Sequence, residues 1–143
     1  MNYSIILYVI GWVLNFEAAF MVPACVTGLI YREHETSALV VVALLCLAVG
    51  LLITKKKPRS MSLYAKEGFV TVALCWVVLS ALGALPFVIS RVIPSYVDAL
   101  FEVVSGFTTT GSSILPEVEH MPHCLLFWRS FTHWIGGMGV LVF

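Results

Sequence analysis

The sequence predicts an all-α integral membrane protein, and two observations support that fold class. Hydrophobic residues make up 60% of the 143 residues and charged residues only 11%, a balance far more apolar than that of soluble domains. Three apolar runs, residues 5–30, 38–54 and 68–90, have the length of transmembrane helices. At 1.5 Å per residue the shortest would measure roughly 26 Å, against a hydrocarbon core of about 30 Å.

The first apolar run is predicted to be a retained transmembrane helix and not a signal peptide. No basic residue precedes it, and no small-residue cleavage site follows a short apolar core. Together with the second run it forms residues 1–54, which we interpret as an amino-terminal pair of transmembrane helices.

The loop of residues 55–67 joins the second and third runs and holds most of the basic charge of the chain. Its basic residues are Lys55, Lys56, Lys57, Arg59 and Lys66. Because cytoplasmic loops are enriched in lysine and arginine, the loop from Lys55 to Lys66 and the amino terminus are both predicted to be cytoplasmic. The protein is then expected to be a multi-pass protein of the cell (plasma) membrane.

A fourth apolar segment, residues 96–107, is too short to cross a bilayer, since it would be only about 18 Å long as a helix. Ser95 and Asp98 have the spacing of a capping box at its start, and Gly106 is predicted to end it. The run "TTTGSS" follows, then a polar loop and a new apolar segment that is still hydrophobic at Phe143. We therefore expect a last helix that is truncated.

The hydroxyl-rich run has two interpretations. Irregular backbone cannot face lipid, because unpaired backbone groups cost several kcal/mol there, so at membrane depth it must line protein or water. In a re-entrant pore loop, carbonyls of Thr108, Thr109 and Thr110 would replace the hydration shell of a cation, and Gly111 would supply a positive φ. Residues 68–143 would then be one helix–pore-loop–helix repeat, incomplete at its end. Alternatively, the short helix lies flat in the membrane interface and the run is an outer loop.

Longer motifs favour the pore loop. The stretch "DALFEVVSGFTTTGSSIL" followed by "MPHCLLFWRSFTHWIGGMGVLVF" resembles the first pore loop and following helix of the TrkH/KtrB family of potassium-uptake proteins. The stretch "KEGFVTVALCWVVLSALGALPF" resembles the preceding helix, and the two amino-terminal helices resemble the extra pair of the TrkH branch. The resemblance covers essentially the whole chain, and its most specific parts are "SGFTTTG" and "WIGGMG".

This resemblance implies potassium uptake across the cell membrane by a TrkH-like channel or transporter. It implies four helix–pore-loop–helix repeats around a pseudo-fourfold axis, of which this chain carries one. The implied filter strand is Thr109, Thr110, Gly111 and Ser112. K⁺ is expected at the first three of these residues, and a glycine at position 111 is associated with potassium preference. No cofactor beyond the transported ion is implied.

The implied partners are potassium, the lipid bilayer and a cytosolic gating subunit of the TrkA type, with a homodimer as one option. Two alternatives remain open: a short pore-loop subunit that assembles as a tetramer, and a non-conducting membrane fragment that packs against a full-length partner. An enzyme is not expected, because "HETSA" begins like a zinc-protease motif but has Ala38 where the second histidine is required. Nucleic acid is not expected either, because eight basic and eight acidic residues cancel.

Polar residues in the other segments are weaker candidates. Glu17 is ionisable within the first apolar run, so it is either a functional group or a residue that faces another helix. Arg129 and His133 could reach the outer pore, but the simpler interpretation is that they lie in the membrane interface or pack against neighbouring segments, with Trp128 and Trp134 as aromatic anchors. Close helix packing is predicted at Gly136, Gly137 and Gly139. Four loop residues could hold a metal: Glu117, Glu119, His120 and His123.

Overall fold

The structure is a computed structural model that describes residues 2–142, with side chains to residue 139. Six helices occur in this part of the chain: α1 Tyr3–Tyr31, α2 Thr36–Thr54, α3 Ala65–Gly83, α4 Leu85–Ile89, α5 Tyr96–Phe107 and α6 His123–Val142. No strand occurs between residues 2 and 142, which agrees with the all-α prediction. The predicted truncation at Phe143 concerns a residue outside the described ones.

Three helical stretches are long and apolar enough to cross a membrane: Tyr3–Tyr31, Thr36–Thr54 and Ala65–Ile89. They coincide with the three predicted apolar runs. Large apolar side chains on these stretches, including Leu7, Leu44 and Val77, are exposed. Such outer faces are expected of helices surrounded by hydrocarbon.

The third apolar run forms two helices where the sequence predicts one. α3 ends at Gly83, and α4 begins at Leu85. Pro86 explains the break, because its nitrogen has no hydrogen to donate and its ring would clash with the carbonyl four residues earlier. The interruption leaves the carbonyl of Gly83 free to accept a hydrogen bond from Nε1 of Trp128 at 3.0 Å.

The main core of the described chain takes buried side chains from α1 and α2 as well as from α4, α5 and α6. α1 packs against α2, α3 and α6, while α5 packs against α3, α4 and α6. The largest fully buried side chains are Phe87 of α4, Phe107 of α5 and Trp128 of α6. The prediction of Trp128 as an interfacial anchor is therefore wrong, whereas Trp134 is 54% exposed.

The loop between α1 and α2 caps the amino-terminal end of α6. The Glu33 carboxylate accepts hydrogen bonds from the backbone N–H of His123 at 2.6 Å and of Cys124 at 2.9 Å, and from Nδ1 of His123 at 2.9 Å. Tyr31 stacks on the His123 ring with 4.0 Å between centroids. Burial alone raises the pKa of Glu33, but the hydrogen bonds outweigh it and hold the pKa at about 2. The ionised carboxylate thus satisfies donors that a helix start leaves unpaired.

Candidate functional site

The short helix α5 begins where predicted, but its two ends differ from the prediction in detail. Ser95 is the N-cap residue and Asp98 lies in the first turn, yet the Ser95 side chain makes no capping hydrogen bond, so the predicted capping box is wrong. Aspartate is one methylene shorter than the glutamate or glutamine that this motif uses. Gly106 does not end the helix, which continues one residue further to Phe107, with Thr108 as its C-cap. Gly106 instead lies against Thr132 of α6, whose hydroxyl an added Cβ would overlap.

After α5 the chain turns and runs back beside the helix. The Ser105 hydroxyl donates to the carbonyl of Ser112 at 2.6 Å, and the Glu102 carboxylate accepts from the N–H of Ile114 at 2.6 Å. Residue 112 thus lies beside residue 105 of α5 and residue 114 beside residue 102, so the chain after the turn runs antiparallel to the helix. We call residues 110–114 the return segment.

The backbone N–H groups at the turn point to the carboxyl end of α5. Thr109 donates to the carbonyl of Gly106 at 3.0 Å, and Thr110 and Gly111 donate to the carbonyl of Ser105 at 3.0 and 3.4 Å. All peptide bonds of residues 2–142 are trans, and in a planar trans peptide the C=O points opposite to the N–H. The carbonyls of residues 108, 109 and 110 therefore point away from α5. They accept no hydrogen bond within the described part of the chain.

Two residues of the turn have a positive φ, Thr109 at 56° and Gly111 at 78°. Thr110 between them does not. Glycine adopts this conformation freely, whereas a β-branched residue rarely does; the strain at Thr109 is on the order of 1–3 kcal/mol. Nothing lies within 4 Å of the place where a Cβ on Gly111 would be. Backbone conformation, and not lack of space, is therefore what makes this position suit glycine.

Ser112 differs from the other three residues predicted for the filter strand. Its carbonyl accepts the Ser105 hydroxyl, whereas the carbonyls of Thr109, Thr110 and Gly111 accept no hydrogen bond from residues 2–142. Hydrogen bonding therefore distinguishes Ser112 from the other three residues.

A buried ion pair connects α5, the return segment and α6. Glu102 is 1% exposed and accepts hydrogen bonds from Oγ of Ser113 at 2.6 Å, the N–H of Ile114 at 2.6 Å and Nε of Arg129 at 3.0 Å. A buried carboxylate requires such partners, because an unpaired charge is strongly unfavourable there. Sequence reasoning missed Glu102, although a glutamate and an arginine in neighbouring apolar segments were the signal that could have found it.

The predicted close packing of α6 is confirmed at two of the three glycines. A Cβ on Gly136 would overlap the backbone carbonyl of Phe107, and a Cβ on Gly139 would lie 3.1 Å from the Trp76 ring. Gly137 has no neighbour closer than 3.9 Å, which is ordinary contact. The last residue of α5 is therefore held directly against the α6 backbone.

Other polar residues predicted from the sequence lie apart from the return segment. Arg129 packs against α5 through Glu102, as the simpler interpretation held, and Nδ1 of His133 lies 3.0 Å from the Arg129 carbonyl on its own helix. Glu17 is 1% exposed and faces Gly83, where an added Cβ would lie 3.2 Å from its Oε1. Neither Glu17 oxygen has a hydrogen-bond partner among residues 2–142, and the side chain borders an apolar cavity of about 300 Å³.

The four loop residues considered as metal ligands are not brought together. His120 pairs with Glu117 at 3.2 Å, while His123 pairs with Glu33 in the α1–α2 loop. No group of three or more potential metal ligands occurs within the part of the chain that the structure describes.

Three spanning stretches, a half-length helix and a segment that returns beside it define an integral membrane protein. The family model described as "TrkH: Cation transport protein" matches residues 34–143, which is more than half of the chain. The chain therefore belongs to the TrkH family, a family of transporters and not of enzymes.

Individual relatives agree with this assignment. The chain is 37% identical to the Trk system potassium uptake protein TrkH of Escherichia coli (strain K12), over 99% of the chain and 30% of that protein. It is 36% identical to an uncharacterized cation transporter of Methanocaldococcus jannaschii, over 96% of the chain and 29% of that protein. The crystal structure of the potassium transporter TrkH from Vibrio parahaemolyticus matches with a TM-score of 0.92 at 32% identity, over 99% of this chain and 31% of that one. The chain thus spans about 30% of the length of these relatives.

Proposed function

We propose that the chain acts in potassium uptake across the cell membrane, as the amino-terminal portion of a TrkH-like channel or transporter. In this proposal residues 1–54 are the additional helix pair, 55–67 a cytoplasmic loop and 68–143 the first helix–pore-loop–helix repeat. The relatives named for potassium uptake support the ion. The whole transport activity would belong to the assembled protein, to which this chain contributes one pore-lining strand.

The observation that carries the proposal is the direction of the carbonyls at the turn. The N–H groups of Thr109, Thr110 and Gly111 are bound to the end of α5, so the carbonyls of residues 108, 109 and 110 point away from it and accept no hydrogen bond within the described chain. A dehydrated K⁺ needs several such oxygens in place of its hydration water. Thr109, Thr110 and Gly111 are the proposed ligands: the carbonyl direction supports the first two, and the carbonyl of Gly111 is supported by its lack of a hydrogen bond from residues 2–142.

The proposed partners follow from family membership and not from a contact in this chain. A cytosolic gating subunit of the TrkA type would meet the cytoplasmic side, and a second copy of the transporter could complete a homodimer. The amino terminus and the loop from Lys55 to Lys66 are proposed to lie on that side, because this loop carries five of the eight basic residues.

The decisive experiment is Gly111→Ser in the full-length transporter. Serine at a φ of 78° is strained by about 1–2 kcal/mol, and relief of that strain would rotate the carbonyls that face the ion. We expect weaker potassium-dependent growth and a lower ratio of rubidium to sodium uptake in cells that lack other potassium importers.

The matched control is Gly68→Ser, which adds the same side chain at the start of α3, where the nearest atom would be 3.6 Å away. Ser113→Ala is not a neutral control, because Ser113 donates to Glu102. If Gly111→Ser and Gly68→Ser both leave growth and the ion ratio unchanged, residues 108–113 are an ordinary loop and the filter assignment is wrong.

A further inference from the structure

An open cleft of about 700 Å³ lies at the basic end of the amino-terminal helix pair. The start of α1 and the end of α2 form two of its walls, and residues 56–60 form the third. On the side away from residues 56–60, α1 and α2 are in tight contact, since a Cβ on Gly11 would lie 3.0 Å from the Ile53 side chain. On the loop side, Nδ2 of Asn2 donates to the carbonyl of Ser60 at 3.3 Å. The cleft is therefore closed between the two helices, and a hydrogen bond ties the loop to the start of α1.

Three cationic side chains line the loop side of this cleft: Lys56, Lys57 and Arg59. All three are exposed, and none forms an ion pair within residues 2–142. The nearest acidic residue along the loop, Glu67, is occupied by the backbone N–H groups of Asn2 and Tyr64, at 2.6 and 3.4 Å. The cleft thus concentrates positive charge that no carboxylate of the described chain neutralises.

The opposite side of the cleft is apolar and continues into the outer faces of the spanning helices. Leu7 and Leu52 line it and are 53% and 64% exposed. A hydrocarbon chain that lay along these two side chains would remain within the membrane, while the attached headgroup would sit among the three cations. This combination matches the chemistry of an anionic phospholipid, because juxtamembrane lysine and arginine attract such headgroups.

We propose that the cleft between α1, α2 and residues 56–60 binds one anionic phospholipid from the adjoining leaflet. The phosphate lies among Lys56, Lys57 and Arg59, and one acyl chain lies over Leu7 and Leu52. The site is separate from the return segment and does not depend on the transport mechanism.

The test titrates purified full-length protein with phosphatidylglycerol in a neutral detergent and counts bound lipid by native mass spectrometry. In the variant Lys56→Gln/Lys57→Gln/Arg59→Gln we expect an affinity lower on the order of 100-fold, since each cation near an anionic headgroup contributes about fivefold. The single variant Lys57→Gln should show about a fivefold loss, which keeps the test valid if the triple variant does not fold. Phosphatidylcholine should bind weakly to all forms.

The matched control is Lys55→Gln/Lys66→Gln, which removes two charges of the same loop outside the cleft. An equal loss per charge in this control would show that a diffuse surface charge attracts the lipid and would overturn the proposal. Inorganic phosphate at millimolar concentration should not displace the lipid, and Leu52→Asn should weaken lipid binding. Displacement by phosphate would show a simple anion site, and an unchanged affinity in Leu52→Asn would refute the acyl-chain contact.

Discussion

Exchange of Glu102 for glutamine tests whether the buried ion pair holds the return segment. Glutamine keeps one oxygen that can still accept from both Ser113 and Ile114, since both donate to Oε1 of Glu102, but it presents an NH₂ group to the guanidinium of Arg129, so two donors face each other. The breaking of a buried pair costs about 3–5 kcal/mol. Because the Arg129 side chain is 16% exposed, water can recover part of that loss, and we expect a value near the lower limit of about 3 kcal/mol.

A double-mutant cycle with Arg129→Gln isolates the pair from other effects. Glutamine at both positions restores a donor opposite an acceptor, so Glu102→Gln/Arg129→Gln should be more stable than the sum of the single losses predicts. We expect a coupling of about 1–3 kcal/mol. The measurement is equilibrium unfolding of the full-length transporter in mixed detergent micelles, with the exposed Glu119→Gln as the matched control.

The same variants report on ion selectivity. Ser113 and Ile114 follow Gly111 closely in the chain and donate to Glu102, so a Glu102 side chain no longer anchored by Arg129 should loosen the turn and lower the ratio of rubidium to sodium uptake. The reasoning is refuted if Glu102→Gln behaves like Glu119→Gln in both assays and the double variant is additive within about 0.5 kcal/mol.

Two further predictions concern the loops. The pKa of Glu33 is lowered from 4.5 to about 2, so its contribution to stability is complete above pH 4.5 and is lost as the pH falls towards 2. Between these pH values the unfolding temperature should decrease less in Glu33→Gln than in the unmodified protein. An identical pH profile for the two proteins would contradict the capping role of Glu33. If the basic loop is cytoplasmic, a cysteine at Ser60 should resist an impermeant thiol reagent in intact cells, while one at His34 should react. Both cysteines are introduced into the Cys25→Ser variant, which removes the half-buried native thiol. The reverse labelling pattern would overturn the proposed topology.

The helices were predictable because hydrophobicity and length determine them almost alone. The three spanning runs and the start of α5 agree with the structure, since a membrane leaves helices as the main way to satisfy the backbone. Pro86 broke the third run because one residue without an N–H outweighs a favourable apolar composition. The capping box failed because its spacing is a local signal that does not ensure the hydrogen bond from the Ser95 side chain.

The candidate site was predictable as a segment but not as a set of contacts. The stretch around Gly111 is visible in the sequence because hydroxyls and a glycine interrupt apolar runs. The partners Glu102 and Arg129 are 27 residues apart, and no periodicity links them. The bond from Ser105 to Ser112, which separates Ser112 from Thr110 and Gly111, depends on how the chain turns after α5.

The bonds from Glu33 to the start of α6 have a consequence for biosynthesis. The bonded residues are 90 and 91 positions apart, so at roughly 5–20 residues per second the ribosome needs about 5 to 20 s to deliver the second partner. α2 is completed early in that interval, and the loop before it then carries an ionised carboxylate whose partner helix does not yet exist. The contact that caps α6 can therefore form only after both helices of the first hairpin have been made.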